Sequence, residues 1–133
     1  MERLKRLSVA LLGSASAAYG ETLKDEQEVL AQIADVIIET YATESAIARA
    51  EKMASSGDGR ASLAADIAAV YTNDASDRVA AASRQVVAAL SARGADNVLA
   101  SGVQRLAAYA GVDAIATRRR IAHAVIDAGR YPL

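Results

Sequence analysis

The sequence predicts an all-α protein, an up-and-down bundle of four to five helices with two long antiparallel helices at its centre. Three observations predict it. Alanine supplies about a quarter of the 133 residues and the apolar share reaches 53%; alanine is the best intrinsic helix former, and small enough for helices to approach closely. Apolar residues recur every three to four positions, and no stretch alternates as a strand would. The single proline is Pro132, so no long helix is interrupted. A chain of this length buries roughly two-thirds of its unfolded surface and needs no metal or disulfide to support a core.

The first helix is expected over about residues 2–19, ending near Gly20. Thr22 followed by Asp25 reads as a capping box for the second, with Asp25, Glu26 and Glu28 favourable in its first turns. Leu30, Ile33, Ile37, Tyr41 and Ala48 then recur at helical spacing, beside a second stripe of Val29, Val36, Ile47 and Ala50. Two adjacent apolar stripes mean two packing neighbours. Ser55-Ser56-Gly57-Asp58-Gly59 ends this helix.

The third helix is expected from about Arg60 to Ala92, with Gly94 beyond its end and Leu63, Ile67, Val70, Tyr71, Val79, Ala82, Val86 and Leu90 facing inward. Asp74 and Arg78 have the spacing of an ion pair on one helix face. Asp96 or Asn97 can cap a fourth helix holding Leu99, Val103, Leu106 and Ala110 and ending at Gly111. Asp113 can cap a fifth, which holds Ile115, Ile121, Val125 and Ile126 and ends at Gly129. Helices two and three, each about 50 Å long at 1.5 Å per residue, must pack as an antiparallel pair. No internal repeat and no long linker divides the chain, so residues 1–133 read as one helical bundle domain.

Fifteen basic and sixteen acidic residues leave a net charge of −1, which gives no support to a nucleic-acid partner. The absence of cysteine removes thiolate chemistry and Cys-based zinc sites and is compatible with the cytoplasm. No apolar run is long enough for a transmembrane helix. Arg3, Lys5 and Arg6 before Leu7 to Leu12, then Ala15-Ser16-Ala17, mimic a secretory signal; the same residues also read as an amphipathic first helix, able to close a bundle or rest on a membrane surface.

Residues that carry chemistry are sparse. His123 is the one histidine; a general base needs an orienting carboxylate and a nucleophile, and Asp127 one turn later supplies only the first. Glu39, Glu44 and Glu51 lack the histidine three residues on that di-metal bundles use, and Glu51 with Lys52 reads as a solvated face. Gly57-Asp58-Gly59 lacks the rest of a phosphate loop. Arg118-Arg119-Arg120 is the sharpest charge feature, a candidate for phosphate or CoA, yet three successive helical residues spread over about 200°. No catalytic, cofactor-binding or metal-ligating residue is assigned.

The segment from Tyr19 through Leu30, the stretches Ile33–Asp35, Glu39–Ala46 and Arg49–Lys52, and the closing run from Arg118 to Leu133 resemble the extra C-terminal domain of bacterial acyl-CoA dehydrogenases, in a branch similar to the very-long-chain enzymes. The resemblance covers essentially the whole chain and contains no catalytic motif. It implies a parent flavoprotein that binds FAD and removes the α proton and β hydride of acyl-CoA thioesters, with its base and flavin contacts in parts absent here. It implies that the remaining dehydrogenase domains are the partners, with homo-oligomer formation and a packing or subunit-interface role, and it makes the signal-like N-terminus coincidental. Very-long-chain relatives also use this domain for membrane association, to which the short basic segment, lacking Trp and Phe, is poorly suited. The rival reading is an independent helical bundle acting as an interaction or oligomerisation module.

Overall fold

The structure, a computed structural model, describes residues 2–94 and 97–133. Among the described residues are five α-helices: α1 (Glu2–Tyr19), α2 (Gln27–Ser55), α3 (Ala61–Ser91), α4 (Asn97–Ala107) and α5 (Ala114–Ala128). No strand occurs among the described residues. The all-α bundle expected from composition and spacing is what forms.

Helix ends follow local chemistry. Gly20, at φ 55°, stops α1, because a side chain there would be strained. A 3-10 turn, Gly20–Asp25, comes next. Here the expected capping box is corrected: Thr22 does not start α2, since its hydroxyl donates back to the Tyr19 carbonyl at 2.8 Å. It serves the end of α1, and α2 begins five residues later. At the start of α3, Asp58 Oδ1 accepts the Arg60 backbone N–H at 2.9 Å, the role expected of a residue before a helix. The expected end of α4 at Gly111 is also corrected, to Ala107; the Val112 N–H beyond it goes to Asn73 Oδ1 at 3.4 Å. The side chains expected to cap α4, Asp96 or Asn97, and that of Leu99, lie outside the described residues.

The buried face of α2 is Val29, Ile33, Val36, Thr40, Thr43, Ala50 and Met53, with half-buried Ile47 completing a spacing of alternating fours and threes from Val29 to Ala50. That is a seven-residue repeat, the pattern of helices packed side by side at a shallow angle. The expected stripe through Ile37, Tyr41 and Ala48 is therefore overturned: Ile37 is 44% and Tyr41 73% exposed. Threonines hold the seam in their place, and Thr40 satisfies its buried hydroxyl on the Val36 carbonyl at 2.7 Å. On α3, Val79, Ala82, Val86 and Leu90 are buried as expected, but Leu63, Ile67, Val70 and Tyr71 are only half-buried, and Ala64, Ala68 and Ala75 take the inner positions.

The residues group into two compact units. The first comprises Met1–Tyr41 and Ser76–Ala108. Its core joins Leu7, Leu11, Ala15 and Tyr19 of α1, Val29, Ile33 and Val36 of α2, Val79, Ala82, Val86 and Leu90 of α3, and Val103 of α4. Four helices thus share one core. Glu39 pairs with Arg78 and Glu26 with Arg93; numbers rising along α2 match numbers falling along α3, so the two run antiparallel. The signal-like segment is part of this core, with Leu7 and Leu11 fully buried.

The second unit comprises Ala42–Ala75 and Tyr109–Leu133. Its core is smaller: Ala50, Met53, Ala64 and Ala68, flanked by Ala46, Ile47, Ala61 and Leu133. Side chains this short bury little area each, so close backbone approach replaces bulk as the source of packing. Helix α5 contributes one fully buried residue to the unit, Thr117.

Candidate interaction surface

Helix α5 is built to be held by charge. Asp113 caps it, accepting the Ala116 N–H at 2.9 Å, and Gly129 at φ 62° ends it in the left-handed conformation. Arg118 reaches Asp74 with Nη2 at 2.6 and 2.8 Å from the two carboxylate oxygens. Arg120 grips Asp66 through Nε at 2.9 Å and Nη2 at 2.7 Å, and also donates to Thr117 Oγ1 at 3.2 Å. The hydrogen bonds from Arg120 hold the Asp66 carboxyl below its ordinary range and raise the guanidinium in return.

The three-arginine run is thereby divided. Arg118 and Arg120 fasten α5 to α3, while Arg119 is exposed and has no ion-pair partner among the described residues. A phosphate site needs cations or N–H groups that converge and are not already neutralised. Two of these three cations are each closed by a carboxylate, so the donor set does not fit the diphosphate of a flavin or of CoA.

The remaining candidates are scattered. His123 and Asp127 are both exposed on α5, without a hydrogen bond between them. Glu39 is taken up by Arg78 at 2.6 and 2.9 Å; Glu44 is half-buried and Glu51 exposed. Arg78 bonds Glu39, and Asp74 accepts from Arg118, each within its own unit. Among the described residues no three His, Asp or Glu side chains gather as a metal site would require. Asp58 holds Arg60 through its own side chain as well as the backbone, and its carboxyl is pulled down to about 2.

What the surface does offer is apolar. In the first unit Val9, Leu12, Ile37, Ile38 and Tyr41 are exposed; in the second Ile115, Ile126 and Tyr131 are each two-thirds exposed or more. The fifth helix was expected to hold Ile115, Ile121, Val125 and Ile126 as its apolar face. Instead only Ile121 of that set turns inward, to a half-buried position, because the arginine pairs and Thr117 choose which side faces α3.

A family model described as the C-terminal domain of acyl-CoA dehydrogenase matches residues 3–105. The chain belongs to the acyl-CoA dehydrogenase C-terminal domain family. A probable acyl-CoA dehydrogenase of Bacillus subtilis (strain 168) is 24% identical over 132 residues, covering 98% of this chain and 22% of the relative. A crystal structure of an acyl-CoA dehydrogenase complexed with FAD from Bacillus anthracis matches at 26% identity and a TM-score of 0.89, covering 99% of this chain and 23% of that one. The acyl-CoA dehydrogenase C-terminal domain described here thus spans less than a quarter of the length of these relatives. The structural match continues past residue 105 and takes in α5.

Two features of this domain were not visible in its sequence. Thr43 Oγ1 and Ser83 Oγ are buried without a hydrogen-bond partner among the described residues, and only a folded seam can show that. The seam itself had a signal, the seven-residue spacing, but its polar members masked it. Among the described residues no helix is long and apolar enough to cross a membrane.

Proposed function

We propose that this chain is the C-terminal domain of a larger FAD-dependent acyl-CoA dehydrogenase, that it packs against the remaining domains and helps form a subunit interface, and that it performs no catalytic step itself. The observation that carries the reading is coverage: 98–99% of this chain matches two acyl-CoA dehydrogenases, one complexed with FAD, yet fills only 22–23% of their length. In the parent, the flavin would accept the β hydride of an acyl-CoA thioester after a carboxylate base removes the α proton. Neither role is assigned to a residue here. Exposed Ile37 and Ile38 in the first unit, and exposed Ile115 and Ile126 in the second, support a packing role, since large apolar side chains left on a surface can mark contact sites. The balanced charge favours protein over nucleic acid as the partner, and a cytoplasmic parent is part of the same proposal.

The test is direct. The purified chain should be colourless, release no flavin on denaturation and reduce no artificial electron acceptor when given acyl-CoA. Co-expressed with the rest of the parent polypeptide as a separate chain, it should co-purify with it. A yellow preparation would contradict the absence of a cofactor role, and failure to co-purify would contradict the packing role.

A further inference from the structure

The outward side of α5 has a symmetry that its inward side lacks. Ile115, Ala122 and Ile126 form an exposed row, and along one edge of that row Arg119, His123 and Asp127 follow at intervals of four, one turn apart. All three are exposed, and Arg119 and Asp127 have no ion-pair partner among the described residues. The two cations beside Arg119 are already neutralised by Asp74 and Asp66, which leaves Arg119 as the uncompensated charge of the run. The edge therefore carries a cation at one end and a carboxylate at the other, centred on His123.

Such an edge is its own complement. When two copies of α5 lie antiparallel about a two-fold axis at His123, each Arg119 meets the Asp127 of the other copy, and the pairing occurs twice. The small side chain of Ala122 lies near the crossing, where it lets the backbones approach. Ile115 then lies toward the end of the other copy that carries Tyr131, itself 68% exposed. We propose that this face of α5 is a homodimer contact, an antiparallel α5–α5 pair between two copies of this chain. The proposal rests on the interface reading above and names the face and the occupant that serve it.

One 15-residue helix buries less than the roughly 800 Å² per partner of a standard interface, so the contact is weak in the isolated chain and is measured at high concentration. Sedimentation equilibrium of the 133-residue chain should show reversible monomer–dimer exchange. Arg119→Asp and Asp127→Arg should each raise the dimer dissociation constant about tenfold, because each strikes both symmetric pairs, and the double variant should return to within about threefold of the parent chain. All substituted positions are exposed, and circular dichroism checks that each variant stays helical. Absence of dimer up to about 1 mM, or a double variant no better than the singles, overturns the α5 pairing. A dimer insensitive to these changes but lost in Ile38→Asp also overturns it, while the broader interface reading survives. Failure of the chain to co-purify with the rest of its parent strikes that broader reading separately.

Discussion

Arg120 and Asp66 meet through two parallel hydrogen bonds, 2.9 and 2.7 Å long, across 54 residues of sequence. The pair joins α5 to the first turns of α3. With Thr117 as the only fully buried residue of α5, such contacts carry much of the attachment. Arg120→Ala should lower the urea midpoint and speed amide exchange across residues 114–128. Arg119→Ala, one position away, should stay within about 0.5 kcal/mol of the parent chain. Equal effects from the two substitutions would contradict the division of labour within the arginine run.

Leu11 is fully buried among α1, α2, α3 and α4 residues, whereas Val9 on the same helix is 73% exposed. Leu11→Ala leaves a cavity as well as losing transfer energy and should cost about 2–5 kcal/mol; Val9→Ala should cost under about 0.5 kcal/mol. Urea denaturation of both variants makes the comparison. A small loss at Leu11 would mean that the signal-like segment is not part of the core.

Much of the fold was legible in advance because glycines and short polar residues punctuate it. Gly20, the Gly57–Gly59 turn, Gly94 and Gly129 mark helix ends within a few residues. The core register was harder. Hydrophobicity alone pointed to Ile37 and Tyr41, yet Thr40 and Thr43 occupy the seam; the Thr40 hydroxyl bonds the Val36 carbonyl of its own helix and so presents mainly a methyl group to its neighbour. The ends of Arg118 and Arg120 could not be read from spacing, because their carboxylate partners lie 44 and 54 residues away and depend on how α5 folds back. That same fold-back reversed which apolar residues of α5 face outward.

Thr43 and Ser83 each bury a hydroxyl oxygen with no partner among the described residues, and a polar group removed from water without a hydrogen bond is a liability. Thr43→Val keeps shape and removes the hydroxyl; Ser83→Ala does the same at lower volume. Each is expected to stabilise the chain by up to about 1 kcal/mol, seen as a higher urea midpoint with an unchanged slope. A loss of 1 kcal/mol or more at either site would show that an ordered water satisfies the hydroxyl.

Asp58 and Asp66 set the response to acid. The Arg60 side chain, then the Arg60 backbone N–H, lowers the Asp58 carboxyl from 3.8 to about 2 in the folded chain; Arg120 lowers Asp66 in the same direction. A carboxyl depressed on folding binds its proton more readily when unfolded. For Asp58 that contribution is complete above the unfolded value near 4 and is lost as pH falls toward the folded value of about 2; for Asp66 it is lost in the same direction. Urea midpoints measured between pH 5 and pH 2 should fall through that window. Asp58→Asn retains an oxygen to accept the Arg60 N–H but cannot titrate, so its stability should begin lower at pH 5 and decline less steeply. A variant profile parallel to that of the parent chain would show that Asp58 is not depressed, and the turn into α3 would then owe nothing to its charge.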